Sequence, residues 1–365
     1  MELATELLEK QTAATSGRPR DVMANEILGW GTSPAFRKHD ERHKKMRRVM
    51  ASALHPAAAR SYASQHLDTT LAFLRAVAAN PESFMDATNT AVGSFIMRLA
   101  YGYISQPARD PLLAMVHESF RYLGIATSTY FLVNDFPLLR YLPRWFPGAH
   151  FQKIGKIGHD LRIRYANETF NLVLDQVRKG QVERASYVSG LLESKGGEAA
   201  SEEDVWLIKW TAASLFTGLA HLATEDIEFR GYRIPKGTQI NPNIWAILRD
   251  PNHFSSPHIF NPTRFLGPNP EPDPRKYIFG FGKRVCPGMH VANNGSWILC
   301  AGIMSVFDIR PSPHLEVKVA SLGGRESKRL FELTEPHGLF GDALPFSCQV
   351  TFRDVACMSL LENSA

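Results

Sequence analysis

Apolar side chains recur every three or four residues through residues 1–128, which predicts a succession of α-helices. The clearest runs are Leu71, Leu74 and Val77, then Val92, Phe95, Ile96 and Leu99. Pro56 and the pair Asn80-Pro81 are expected to separate neighbouring helices, because proline cannot continue a helix.

The pattern changes further along the chain. Residues 134–151 carry three prolines among aromatic side chains, so this segment is expected to be irregular with an apolar surface. Another helix is predicted over 151–180, followed by a polar linker and an apolar helix that begins near Asp204. Short strand-like pieces follow, and alternation over 346–352 predicts a hairpin strand. The predicted fold class is therefore mainly α with a small β portion.

Two segments are apolar enough to be either buried helices or membrane spans. The stretch from 289 to 309, MHVANNGSWILCAGIMSVFDI, is apolar nearly all round in its second half, so we expect a buried helix. Residues 205–223 are the best candidate for a membrane span. Lys209 and His221 interrupt that run, which barely reaches spanning length, so a buried helix is favoured there too.

The composition is that of a globular protein with a large core, but it does not identify the binding partner. The 365 residues are 44% hydrophobic and 21% charged, enough for a large core. A net charge of +5 favours an acidic partner, a membrane surface or nucleic acid. The cysteines are too few for a disulfide framework and lack the spacing of a zinc site. They are Cys286, Cys300, Cys348 and Cys357.

One of these cysteines lies in an unusual frame, the ten residues FGFGKRVCPG from 279 to 288. A phosphate-binding loop does not fit, because Tyr277 stands where such a loop needs a glycine and Arg284 stands where it needs Ser or Thr. A single thiolate suits an iron whose in-plane ligands come from a porphyrin. The alternative is a glycine-rich turn around an inert cysteine.

On the porphyrin interpretation each residue of the frame has a role. Gly282 and Gly288 permit a backbone that approaches a flat macrocycle, and amides around Cys286 donate to its sulfur. Phe279 shields the sulfur, and Arg284 pairs with an anionic propionate.

This loop resembles the haem loop of the cytochrome P450 family, with Cys286 at the position of the axial thiolate. NPTRF (261–265) is similar to the family's P-E-R-F element. ERHKKMRRVM resembles helix C, where the family's W-x-x-x-R reads His43 and Arg47. HLATEDIEFRGY, which begins at His221, is similar to the strand after the family's E-x-x-R helix. The resemblance implies that haem b is the cofactor and that its binding residues are Cys286, Phe279, Gly282, Arg284, Gly288, Arg47 and His221.

Parts of that family's pattern have no counterpart in this sequence. WTAASLFTG (210–218) resembles the first half of the oxygen-binding helix, yet the acid-threonine pair that should follow Gly218 is missing. The E-x-x-R helix is missing too, so Arg264 is expected to lack its carboxylate partner, at a cost in stability. The N-terminal anchor and first strands also have no match. We therefore interpret residues 1–365 as one incomplete cytochrome P450 domain with a missing segment at 218–221.

The resemblance also implies an activity and partners. The family inserts one oxygen atom from O2 into a hydrophobic small molecule, with electrons from NADPH through cytochrome P450 reductase, at the endoplasmic reticulum membrane. Without an anchor, this chain is expected to be cytoplasmic or peripheral, with YLPRWFPG (141–148) as a segment that touches membrane. The competing interpretation is a non-catalytic haem-binding remnant or a mis-spliced product.

The basic stretch RHKKMRR (42–48) has more than one interpretation. It is either a solvated helix face or, by resemblance to the family, a surface that docks an acidic reductase domain. A nucleic-acid patch is disfavoured because no aromatic residues are interleaved with the cations. We expect no nucleic-acid partner.

Overall fold

Two of the long helices begin directly after an aspartate that caps their first turn. The structure, a computed structural model, describes residues 1–106, 110–215, 221–312 and 348–363. The Asp40 carboxylate accepts from the backbone N–H of His43 at 2.8 Å, and that of Asp110 accepts from Leu113 at 2.9 Å. Each bond satisfies a donor that the first helical turn leaves open, so a long helix starts after each aspartate.

The α-helices of the described ranges are numbered in chain order. They are α1 (Glu2–Thr5), α2 (Thr12–Thr15), α3 (Glu41–Leu54), α4 (Pro56–Ser61), α5 (Ala63–Ala79), α6 (Phe84–Tyr101), α7 (Pro111–Ser128), α8 (His150–Arg178), α9 (Tyr187–Ser194), α10 (Glu202–Ala212), α11 (Ile244–Ile247), α12 (Arg275–Ile278), α13 (Met289–Val306) and α14 (Val355–Asn363). Other helical turns include Glu6–Lys10, Val22–Ile27, Trp30–Thr32, Leu132–Asn134, Pro137–Tyr141, Pro262–Phe265 and Gly282–Arg284.

The strands are short and pair antiparallel, two by two. They are β1 (His221–Leu222) with β4 (Gln239–Ile240), β2 (Ile227–Phe229) with β3 (Tyr232–Ile234), and β5 (Phe307–Pro311) with β6 (Cys348–Phe352). In the last pair Phe307 lies opposite Phe352, with ring centres 5.2 Å apart. The hairpin strand predicted over 346–352 is thus confirmed for its described part.

The largest core lies where α6 to α10 meet. Its buried side chains are apolar or aromatic and include Met97, Leu113, Tyr165, Phe170, Tyr187 and Trp210. Tyr187 donates to the Thr211 hydroxyl at 2.7 Å, so a polar ring tip inside this core is satisfied. In the part of the chain that the structure describes, no helix combines the length and apolar character that crossing a membrane requires.

Most of the predicted helices are confirmed. The runs at 71–77 and 92–99 lie in α5 and α6, and Pro56 and Pro81 open new helical segments as expected. The helix expected over 151–180 is α8, and the one expected from Asp204 begins two residues earlier. Between residue 134 and the start of α8 at His150 the chain is irregular apart from a 3-10 turn at Pro137–Tyr141, as its prolines predict.

The expectation for the helix from residue 289 is wrong in one respect. The helix forms as α13, yet only Val291 among its residues is buried. Trp297 is 73% exposed and Met304 is 67% exposed. The helix packs mainly on α4 and α5 and also contacts α14 and β5, so apolar residues such as Trp297 and Met304 face solvent in the described structure.

Gly295 has a packing role that helix propensity does not reveal. A Cβ at this position would lie 2.6 Å from the His66 ring, so only glycine lets α13 approach α5 this closely. The glycine therefore serves the contact between the two helices.

Candidate functional site

The cysteine loop is closed by its own backbone. The Cys286 N–H donates to the Phe279 carbonyl at 2.7 Å, and between them the chain makes a 3-10 turn over Gly282–Arg284. Phe281 is fully buried and anchors this turn. The loop ends at Gly288, where α13 begins, so the N-terminus of that helix lies beside the thiol.

The sulfur of Cys286 is half-buried and has two stabilising neighbours. Burial raises the pKa of the Cys286 thiol, while a hydrogen bond from the Gly288 backbone and the charge of Arg47 act to lower it. Arg47 is held in place because its Nη1 donates to the Val285 carbonyl at 2.8 Å. These donors and charges favour a thiolate once a metal or another cation removes the proton.

Arg284 is buried, and most of its donors have partners within the chain. Nε donates to the Ser16 carbonyl at 2.7 Å and Nη2 donates to the Arg37 carbonyl at 2.9 Å. Nη1 lies 2.7 Å from His43 Nε2 and 3.3 Å from the Pro34 carbonyl. Burial, with the charges of neighbouring arginines, lowers the pKa of Arg284 to about 9.

His43 faces Arg284, and the contact decides its tautomer. A guanidinium only donates, so His43 Nε2 must be the unprotonated nitrogen. Its Nδ1–H then donates to His39 Nδ1, which lies 3.2 Å away. Burial and the charge of Arg284 lower the pKa of His43 to about 3, so the ring is neutral near pH 7.

His221 lies on β1 and is also buried. Its Nδ1 donates to the Thr15 carbonyl across 3.0 Å. Burial, followed by the charges of Arg18 and Arg284, lowers the pKa of His221 to about 4. The same N-terminal segment pairs with β1, because the Gly17 and Leu222 backbones exchange two hydrogen bonds of 3.1 Å. The predicted site residues His221 and Arg284 are thereby brought to one side of the loop.

Haem b requires two kinds of charged partner, a thiolate for the iron and cations for the propionates. Cys286 meets the first. Arg18, Arg47 and Arg284 meet the second, since they are mutually close and all have lowered pKa values through burial. Among the described residues, Asp40 is the one carboxylate that raises the pKa of Arg284. The residues therefore fit a cofactor that carries anionic groups.

The two predicted loop glycines differ in what they do. Gly282 has a φ of +53°, and a Cβ there would lie 2.6 Å from the Leu8 carbonyl, so its close approach is to the N-terminal segment. Gly288 has an ordinary φ of −88° and contributes its N–H to the sulfur. Phe279 is half-buried, and its described contact with the thiol residue is the backbone bond.

Sequence reasoning missed two residues of this site. Phe281 was available as a signal, because an aromatic residue between two glycines in FGFG is the one side chain that can anchor such a turn. Arg18 was hidden, because its place depends on the fold: Nε donates to the Ala35 carbonyl at 2.7 Å, on a segment distant from the cysteine.

The expectation for Arg264 is wrong. Its Nη1 lies 2.7 Å from Glu271 Oε2, and the guanidinium also donates to the carbonyls of Ser255, Ser256 and Ile259. The chain folds back after the 3-10 turn at Pro262–Phe265, which places this carboxylate within reach. Arg264 is therefore paired within its own loop without an E-x-x-R helix.

A half-buried thiol with backbone and cationic neighbours, in a mainly α-helical fold, fits a haem-thiolate class of site. The family model described as cytochrome P450 matches residues 1–206 and 212–323. The chain belongs to the cytochrome P450 family, so its cofactor is haem b and its class is that of the oxidoreductases that act as monooxygenases.

Curated fungal proteins are similar over most of the chain. Cytochrome P450 monooxygenase 208 of Postia placenta is 29% identical, over 84% of this chain and 73% of the relative. Cytochrome P450 monooxygenase 98 of the same fungus is 28% identical, over 100% and 83%. Tryptamine 4-monooxygenase of Psilocybe cyanescens is 25% identical, over 97% and 82%.

These alignments are longer than the chain. The one with monooxygenase 98 has 442 positions and spans all 365 residues, so 442 minus 365, or at least 77, positions have no residue of this chain. The two matched segments of the family model are separated at residues 207–211, close to the predicted junction at 218–221. Residues 218–220 lie outside the described residues.

Proposed function

We propose that this chain is a monooxygenase whose haem iron is bound by Cys286 and whose substrate is a hydrophobic small molecule. The observation that carries the proposal is the thiol itself, half-buried, with the Gly288 N–H on its sulfur and Arg47 beside it. Haem b, when bound, would supply the activation of O2. One oxygen atom enters the substrate and the other leaves as water, with two electrons from NADPH and two protons.

The residues of the chain have separate roles in this proposal. Cys286 is the metal ligand, and the Gly288 N–H bond reduces the charge density on its sulfur. Arg47, Arg284 and His221 would hold the propionates of the cofactor, and Arg284 keeps one N–H donor beyond its bonds to the described residues. Phe279 and Gly282 shape the loop that carries the ligand.

The experiment is a substitution of the ligand. Cys286→Ala is expected to abolish the thiolate-type spectrum of the reduced carbon monoxide complex, whereas Cys300→Ala, at an exposed thiol on α13, should leave it intact. A thiolate spectrum that persists in Cys286→Ala contradicts the proposal. Equal loss in both variants would point to misfolding rather than to a lost ligand, and also removes the support.

The substrate class stays broad. The printed name of one relative assigns it tryptamine, an aromatic amine, at 25% identity to this chain. That identity is too low to transfer a substrate. The proposal is therefore a hydrophobic small molecule, tested by substrate-dependent NADPH consumption coupled to formation of an oxygenated product.

We also propose that the exposed basic face of α3 docks an NADPH-cytochrome P450 reductase. Arg42, Lys44, Lys45 and Arg48 are exposed, while His43 and Met46 on the opposite side are buried. Lys44 pairs with Glu41, and Lys45 lies 2.7 Å from Glu203, so both already have acidic neighbours. Arg48→Glu is the cleaner variant and should slow reduction of the haem.

The difference in haem reduction rate between Arg48→Glu and the original chain should shrink as ionic strength rises, because exposed charges are screened over about 10 Å at 0.1 M salt. Lys156→Glu on α8 changes the net charge equally and serves as control. Reduction that is insensitive to salt, or slowed equally by both variants, would leave the stretch as a solvated helix face.

A peripheral contact with the endoplasmic reticulum membrane is proposed for the turns between α7 and α8. Their exposed apolar side chains include Tyr130, Leu138, Tyr141 and Trp145, the last 81% exposed. Flotation with phospholipid vesicles should recover the chain, and Leu138→Ser with Trp145→Ser should reduce that recovery. Unchanged recovery of the double variant contradicts the contact.

The second candidate is a non-catalytic haem-binding product. It is favoured by the 77 unmatched positions and by the exposed apolar side of α13, which both indicate a missing segment. Haem binding without coupled product formation would support it. Product formation matched to NADPH consumption would contradict it.

A further inference from the structure

Arg162 is sealed inside the protein at the middle of α8. Its exposure is 0%, and burial lowers its pKa to about 10. The guanidinium carbon lies 4.7 Å from the ring centre of Trp30 and 4.4 Å from that of Trp210. Nη2 donates to the Thr32 hydroxyl at 2.6 Å. Three elements thus enclose this charge: α8, α10 and the 3-10 turn at Trp30–Thr32.

The enclosed donors outnumber the acceptors. Nε and Nη1 of Arg162, and Nε1 of Trp30, are buried without a hydrogen-bond partner in the described ranges. Among described residues, Tyr165 is the one group whose charge affects the pKa of Arg162, and no carboxylate does. A buried donor without a partner destabilises the folded chain, and a charged one does so more strongly. All three unpartnered groups are donors, so the missing group is an acceptor.

The two indoles do not supply that acceptor. They attract the cation through their flat faces, whereas the N–H bonds of Arg162 lie in the guanidinium plane. A guanidinium has five N–H donors arranged as two edges with a parallel pair each. Thr32 takes one N–H of Nη2, so one complete edge remains. Two parallel donors match the two oxygens of a carboxylate.

We propose that Arg162 binds the carboxylate of an apolar or aromatic acid. The apolar body of such a ligand has aromatic neighbours here, since the ring centre of Trp30 lies 5.0 Å from that of Phe120 and 6.0 Å from that of Phe36. The identification of this acid as the substrate class rests on the proposed monooxygenase function. The binding of a carboxylate at Arg162 does not.

The turn at Trp30–Thr32 covers the guanidinium. Gly29 precedes the turn with a φ of +81°, and a Cβ there would lie 3.1 Å from the His159 ring and 3.6 Å from Arg162 Nη1. The His159 ring and the Gly29 backbone therefore both lie beside Nη1 on this side. Another residue of the turn, Gly31, lines a surface cavity of about 370 Å³. A ligand enters when the three-residue turn moves.

The first experiment compares two probes of the same shape on the full chain. Phenylacetate should change tryptophan fluorescence in a saturable way and raise the unfolding temperature, since it binds the native state. Phenylacetamide, which is neutral, should bind at least tenfold more weakly. Sodium chloride at matched ionic strength is the small-anion arm. Absence of a phenylacetate response, or an equal response to phenylacetamide or chloride, overturns the proposal.

The second experiment changes the residue. Arg162→Met should lose the phenylacetate response while the free chain unfolds at the same or a higher temperature, because a buried unpaired charge is removed. Arg164→Met, on the exposed side of α8, is the control and should respond as the original chain does. A response that persists in Arg162→Met overturns the proposal.

Arg162→Lys decides the matter if the methionine variant does not fold. Lysine keeps the charge and loses the paired edge, so phenylacetate should bind at least tenfold more weakly, and equal affinity overturns the proposal. Haem content is read from the carbon monoxide spectrum of the same samples. A chain without haem that still binds phenylacetate contradicts only the monooxygenase proposal, and a haem-loaded chain without the response contradicts only the role of Arg162.

Discussion

Two helices of this protein, α8 and α13, solve the problem of burial in opposite ways. Of the 29 residues of α8, nine are buried along one side, and charged residues such as Lys156 and Arg164 cover the other. In α13 no residue is acidic, lysine or arginine, yet only Val291 of 18 is buried. The sequence of α8 suits one covered side, whereas that of α13 suits cover on all sides. The contrast indicates that α13 lacks, among the described residues, a neighbour that would cover its apolar side.

The largest effect is expected from restoring that neighbour. We predict that the genomic DNA between the codons for Gly218 and His221 encodes, in frame, an acid-threonine pair and then an E-x-x-R helix. A chain with this segment should hold haem stoichiometrically, whereas the 365-residue chain should hold it poorly and show little coupled oxidation. Haem content by carbon monoxide spectrum measures the difference.

Cys300 reports on the same prediction without haem. Its thiol is exposed on α13, so a thiol reagent should label it rapidly in the 365-residue chain and slowly once the segment covers the helix. Contiguous codons in the genome, or labelling unchanged by the added segment, would make the exposed side of α13 a property of the mature protein. The non-catalytic interpretation would then be the better one.

The next effect compares a core residue of α8 with an exposed residue of α13. Phe170→Ala should destabilise the chain by about 3–5 kcal/mol, because it opens a cavity in the largest core. Trp297→Ala should change the free energy of unfolding by no more than about 0.5 kcal/mol, although tryptophan is larger. Denaturant unfolding measures both, and a large loss in Trp297→Ala would show that this side of α13 is covered.

The sequence predicted the parts of the fold that depend on local pattern. The helices α5, α6 and α8 follow from apolar periodicity, and the cysteine loop follows from its glycines and the family resemblance. It did not predict contacts that depend on the folded path of the chain, such as Arg18 beside Arg284 or the loop pair of Arg264 with Glu271. Those contacts depend on how loops return to one another, which no local spacing encodes. The exposure of α13 was missed for the same reason.

Alanine substitutions at two glycines test how closely α13 packs against α5. Gly295→Ala should destabilise the chain by about 1–3 kcal/mol, because its Cβ would lie 2.6 Å from the His66 ring. Gly124→Ala in α7 has nothing within 4 Å and should stabilise the chain by about 0.5–1 kcal/mol through helix propensity. Thermal or denaturant unfolding distinguishes the signs, and a stabilising Gly295→Ala would mean that α13 does not lie against α5 this closely.

The smallest expected effect is the loss of unfolding free energy at low pH that is caused by His66, at the contact between α5 and α13. His66 is buried, stacks on Phe95 with ring centres 4.0 Å apart, and has its pKa lowered to about 4 by burial. In the unfolded chain its pKa returns to about 6.5, so the unfolded state binds more protons between these values. The stability present above pH 6.5 is therefore lost progressively as the pH falls toward 4, at up to about 1.4 kcal/mol per unit.

His66→Leu removes this term, so the difference in unfolding free energy between pH 7 and pH 5.5 should shrink by about 1 kcal/mol relative to the original chain. His150→Leu, at an exposed histidine that opens α8, is the control and should leave the difference unchanged. Urea midpoints at the two pH values measure it. An unchanged pH dependence in His66→Leu would mean that the ring is solvated in the native chain, and that α13 and α5 are further apart than their described contact. Both sides of α13 would then be open, and its contrast with α8 would be complete.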